Sequence, residues 1–155
     1  MVARDTAAVV KNSARAHICT ACPAVVNYVE KYEKEKVPYL VPVVSPMMAH
    51  ARHIKARFGV PTKVIFIGPC AAKKAEADRR ELKGLVDCVL TFEELEELLA
   101  QRGIDLGMCE ESAFDEEPLG MARLFPVEGG SATTARMATD VLDDRLVFEI
   151  GRAHV

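Results

Sequence analysis

The chain has 155 residues, half of them hydrophobic and 28% charged, with a formal net charge of -3 at pH 7. That length buries a real core, so residues 1–155 read as a single domain, and no tract is polar enough for disorder. The acidic balance excludes a basic nucleic-acid surface, and no apolar run of about 18 residues offers a membrane span. With no signal-peptide pattern at the N-terminus, the expected compartment is the cytoplasm.

Along the chain, helix-like and strand-like segments alternate. Residues 3–15 carry alanines and charges at helical spacing. "AHIC" is a short apolar run, and Pro23 sits where a helix takes its first residue, with "AVVNYVEKYEKE" continuing the period. "VPYLVPVV" is interrupted by Pro38 and Pro42 and reads as a loop or edge segment. Ser45-Pro46 repeats the cap-then-proline signal before "MMAHARHIKARF", which Gly59 closes.

"KVIFIG" (63–68) predicts a short buried strand, stopped by Gly68-Pro69. "PCAAKKAEADRRELKG" follows as a loop running into a polar helix, and "VDCVL" (86–90) predicts a second strand. Thr91 and Glu94 form a capping box for "FEELEELLAQRG", whose Phe92, Leu95, Leu98 and Leu99 are expected to cover a sheet face. An acidic loop, a Gly129-Gly130 turn, a helix in "SATTARMATDVL" and a strand in "RLVFEI" complete the pattern. The alternation predicts an α/β fold, a mostly parallel sheet flanked by helices. The ending "EIGRAHV" has neither cap nor polar tail, so the chain is expected to be part of something longer.

Five cysteines, Cys19, Cys22, Cys70, Cys88 and Cys109, are odd in number and loosely spaced. They read as reduced thiols or metal ligands rather than a disulfide framework. His17, His50, His53 and His154 have no spacing that completes a metal site with them. Cys22 falls at a helix start, where amides and the dipole favour a thiolate, and Cys70 follows a strand end, where open α/β sheets bind ligands. Spacing alone leaves metal ligand and core thiol equally open for both. Lys73, three residues after Cys70, suits an anionic neighbour, but its simplest reading is a solvated Lys-Lys pair. Cys88 among valines and leucine is expected in the core, as is the Met47-Met48 pair, whereas Cys109 is expected at or near the surface.

Taken in order, "TACPAVV", "SPMMAHA", "GPCAAKK" and "FPVEGG" resemble the C-terminal domain of the iron-only (diiron) hydrogenase large subunit, and more closely its hydrogenase-like relatives. The resemblance covers about residues 15–140 and implies one lobe of that catalytic domain. It implies Cys22 and Cys70 as ligands of a 4Fe–4S cluster, with Lys73, Pro46, Met47 and Phe125 around an adjoining diiron pocket. A cubane takes about four thiolates; the family's other two lie in a Cys-x-x-x-Cys motif that this chain lacks. The chain alone is therefore expected to be free of stoichiometric metal. Where the family keeps a proton-passing cysteine, a serine and a glutamate, this chain has Ala21, Val41 and Thr133. Alanine and valine cannot relay a proton. The expectation is an iron–sulfur domain for electron transfer or redox/hydrogen sensing, working with a ferredoxin-type domain or electron carrier and the remainder of its own polypeptide. An active ferredoxin-linked hydrogenase and a cluster-free partner-binding scaffold are the alternatives. Cys19 has no counterpart in the family's pair and reads as a core thiol.

Overall fold

The computed structural model describes residues 1–116, Gly130 and the backbone of Val147–Phe148. Phe125, Thr133, Gly129 and the helix expected after the Gly-Gly turn lie outside these residues. Helix α1 (Val2–Lys11) turns Ala3, Thr6, Ala7 and Val10 inward, the i, i+3, i+4 spacing of an amphipathic helix. It stops at Asn12, before the end expected from composition. Strand β1 (His17–Ile18) then leads into the Cys19–Cys22 turn.

Helix α2 (Pro23–Tyr32) starts as expected, with Pro23 at its first turn and Cys22 as extended N-cap. A proline there loses no intrahelical hydrogen bond and arrives with helical φ. The expected continuation past Tyr32 gives way to a 3-10 segment, Lys34–Tyr39, that contains Pro38. Leu40 then makes an isolated parallel bridge with Ile18. Helix α3 (Pro46–Phe58) has Ser45 as N-cap, its hydroxyl accepting from Met48 N–H, and closes at Gly59, whose φ of 94° favours a residue without a side chain.

Strands β2 (Ile65–Ile67) and β3 (Cys88–Leu90) pair in parallel, Phe66 opposite Val89, with α4 (Ala72–Ala77) in the crossover. Helix α5 (Phe92–Gln101) carries the full Thr91–Glu94 capping box. Strand β4 (Val147–Phe148) pairs in parallel with β1. Among the described residues, the expected parallel sheet is thus two two-stranded parallel pairs with helices against them.

The core lies between α3 and one face of the β2–β3 pair. Met47, Met48, Ala51, Val64, Leu82 and Val86 form its buried cluster, with Phe66 and Val89 packed on it. Because side chains alternate along a strand, the neighbours of Phe66 and Val89 point the other way. Three expectations fail there. The "KVIFIG" strand is buried on one face only, with Ile65 60% and Ile67 44% exposed. Cys88, paired with Ile65, is exposed rather than core. Helix α5 buries none of its residues, and Phe92 and Leu98 are exposed. An apolar run reports strand propensity but not how many faces are covered.

Asp87 closes this unit. Its carboxylate accepts from Val64 N–H (2.9 Å), Lys63 (2.9 Å) and Lys55 of α3 (3.2 Å). Those bonds, the backbone one foremost, hold its pKa well below the ordinary 3.8. A carboxyl depressed by folding stabilises above 3.8 and loses that contribution as pH falls. Asp87→Asn is therefore expected to lower Tm at pH 7, with the gap to the parent protein narrowing below pH 3.8 in thermal melts across pH.

Candidate functional site

Two of the four motifs, and the segment leading to a third, meet at the turn between β1 and α2. Thr20 reaches one side of it. Its hydroxyl lies 2.6 Å from the Val43 carbonyl oxygen and 3.0 Å from that of Val41, and its single proton serves one of them at a time. Val41 N–H in turn donates to Ile18 O (2.9 Å), so the approach to Ser45-Pro46 runs beside β1. Val41 is buried.

Lys73 reaches the other side. Its ammonium donates to Ala21 O (3.1 Å) and to the Glu76 carboxylate (2.8 Å), while its backbone N–H donates to Cys70 O (3.1 Å). One residue thus joins the peptide before Cys22 to the turn holding Cys70. Lys73 is 8% exposed and Glu76 5%, which rules out the solvated Lys-Lys reading. A second tie lies outside this one: Arg79 makes a fork on Glu30 (2.6 and 3.1 Å) and donates to Asn27 Oδ1 (2.6 Å), holding α2 against the end of α4.

Gly68 and Pro69 set the exit from β2 toward Cys70. Gly68 N–H extends the ladder to Leu90 O (3.0 Å), and a Cβ at Gly68 would stand 2.8 Å from the Phe66 ring. A side chain at 68 would therefore force the Phe66 ring to shift.

The placements of the expected site residues follow. Cys22 and Cys70 are both half-buried and outside any disulfide, and Cys22 makes no side-chain bond to the amides of its own helix. Pro46 is half-buried at the start of α3. Met47 belongs to the core cluster, as the composition reading had it. Cys19 is buried, and Cys109 is exposed, its thiol donating to Asp105 O (3.4 Å). Thr20 and Glu76 were not singled out from sequence. A Lys-x-x-Glu spacing one helical turn apart was the available signal for Glu76; Thr20 carried none.

Donor chemistry tests whether these residues suit an iron–sulfur group. Cys22 and Cys70 are half-buried free thiols, the donor type such a group takes. Among the described residues, no three His, Cys, Asp or Glu gather to hold a metal, so those residues do not complete one.

A buried imidazole stands near this junction. His17 is 3% exposed, and neither ring nitrogen has a hydrogen-bond partner. Burial first, and the Arg15 charge second, push its pKa down from 6.5.

The described residues form parallel strand pairs with helices against them, an α/β fold with two thiols and a buried lysine at one junction. A family model described as "Iron only hydrogenase large subunit, C-terminal domain" matches residues 3–151, and the chain belongs to that family. It is 39% identical over 88 residues to a cytosolic Fe-S cluster assembly factor NAR1 of Vanderwaltozyma polyspora, covering 57% of this chain and 17% of that protein. It is 31% identical over 125 residues to the periplasmic Fe hydrogenase large subunit of Nitratidesulfovibrio vulgaris, covering 72% and 30%. Among solved structures, a variant of the FeFe-hydrogenase HydA1 from Chlamydomonas reinhardtii superposes with a TM-score of 0.71 at 23% identity, over 87% of this chain and 39% of that one. The chain spans less than a third of the length of these two curated relatives. No helix among the described residues is long and apolar enough to cross a membrane.

Two outcomes follow from the buried charges. Glu76→Ala leaves the Lys73 ammonium without its counter-charge and is expected to cost about 3–5 kcal/mol in urea unfolding. Lys73→Met with Glu76→Leu should recover most of that loss. For His17, the folded base is harder to protonate than the unfolded one, so stability is complete above pH 6.5 and falls as pH drops below it. His17→Leu should flatten that slope in unfolding curves recorded between pH 5 and pH 8.

Proposed function

We propose that this hydrogenase-like domain lends Cys22 and Cys70 as thiolates to a 4Fe–4S cluster whose other ligands come from outside the described residues. In this reading it serves electron transfer or redox/hydrogen sensing rather than efficient hydrogen turnover. The observation that carries the reading is Lys73: one buried ammonium and its own amide hold the Cys22 and Cys70 turns in a common frame. A cluster so bound supplies one-electron redox chemistry. The residues of the chain do the rest. Glu76 neutralises and aims Lys73, α2 presents Cys22 at its amino end, and Lys73 and Pro46 would border the adjoining pocket of a diiron unit. Electrons come from a ferredoxin-type domain or carrier, and the protein works in the cytoplasm.

Ala21 argues for the sensing or transfer role. A methyl group stands where the family's proton-passing thiol would be, and buried Val41 replaces its serine. Neither holds a transferable proton, so the usual relay to a diiron centre is missing at two places. The identity shared with cluster assembly factors favours a second reading, in which the same half-site holds iron–sulfur cargo.

Anaerobic reconstitution of the full-length protein is the test. Iron–sulfur absorption lost in both Cys22→Ala and Cys70→Ala is the expected result; unchanged absorption in either variant overturns the ligand assignment. No cluster in the parent protein supports a cluster-free scaffold. Robust hydrogen evolution after maturation overturns the transfer or sensing role, and delivery of the cluster to an acceptor apoprotein selects the cargo reading.

A further inference from the structure

We infer that Thr20 is the positioning residue for Cys22, setting where that thiol stands through a hydroxyl tie to the strand-like segment before Ser45-Pro46. The inference deepens the proposed function and rests on it only for the cluster. Cys22 is an extended N-cap whose carbonyl accepts from Val26 N–H (3.2 Å) but whose thiol makes no bond to its helix, so the residues before it help set where the sulfur stands. Two anchors exist. Lys73 takes the carbonyl of Ala21 from the side of Cys70, and Thr20 holds the carbonyls of Val41 and Val43 from the side of α3.

These anchors differ in kind. The Lys73 tie is a long, flexible side chain on a peptide oxygen, with a second N–H of the same ammonium held by the Glu76 carboxylate. The Thr20 tie is short, one β-branched residue with few rotamers, bonding a segment already held to β1 by Val41 N–H on Ile18 O. It fixes the turn against a rigid neighbour. It also carries the Cys22 turn and the Ser45-Pro46 helix start in one frame, since Val43 lies two residues before the Ser45 cap. Valine has the shape of threonine without the donor; serine keeps the donor.

The test reads Cys22 directly in the cluster-free chain and then the cluster in the full-length protein. Under native conditions, iodoacetamide labelling followed by peptide mass spectrometry should modify Cys22 about tenfold faster in Thr20→Val, the effect of one lost hydrogen bond. Cys70 should keep its rate, and Thr20→Ser should keep the parent rate at both. Unchanged Cys22 labelling in Thr20→Val, or equal acceleration of Cys22 and Cys70, overturns the inference, the second because it marks general destabilisation. In the reconstituted full-length protein, Thr20→Val should release iron to a chelator about tenfold faster, with a shifted electron paramagnetic resonance spectrum, and Thr20→Ser should restore both. Parent-like iron release and spectrum in Thr20→Val also overturn it. A parent protein without a cluster overturns the proposed function instead, and the labelling ratio still decides Thr20.

Discussion

The Lys73 ammonium sits between a carboxylate and a peptide oxygen, largely out of water, and the junction of motifs depends on it. A buried charge is tolerable only when its donors are used, and Glu76 one turn along α4 supplies the neutralising partner. The remaining donor capacity goes to Ala21 O, in a different part of the chain. Charge pairing inside one short helix is thereby converted into a tie between distant segments. A neutral residue at 73 could pack, but it could not hold the β1–α2 turn by a directed bond.

Around that tie, each neighbouring element is restrained by its own local chemistry. Pro23 and Ser45 start α2 and α3, Gly68 lets β2 end against its own phenylalanine, and Asp87 fastens the ends of β2 and β3 to α3. Each restraint costs little sequence, one or two residues apiece. Together they bring the turns of Cys22 and Cys70 to a common lysine.

The exposed side of the β2–β3 pair has a different cause. Parallel strands ordinarily carry cover on both faces, and here α3 supplies one. Ile65, Ile67 and Cys88 lie on the other, and no residue of α5 is buried there or elsewhere. The sequence shows the same short β-branched run whether a strand has one covered face or two. That is why the expected buried strand, core cysteine and sheet-covering helix failed together: all three assumed a second layer on that face.

What the sequence by itself determined was local and punctuated. The starts of α2, α3 and α5, the end of α3 and the strand-then-stop before Cys70 were legible because prolines, caps and Gly59 act through their own backbone within a turn. The order of four motifs was legible too, and with it the family. What only the tertiary structure decided was which side chains meet. Lys73 read as a solvated lysine until Glu76 and Ala21 surrounded it, and Thr20 read as an unremarked polar residue until Val41 and Val43 came within hydrogen-bond reach. Those partners lie up to 52 residues apart along the chain. Local propensity carries no information about contacts at that separation; they are settled by packing.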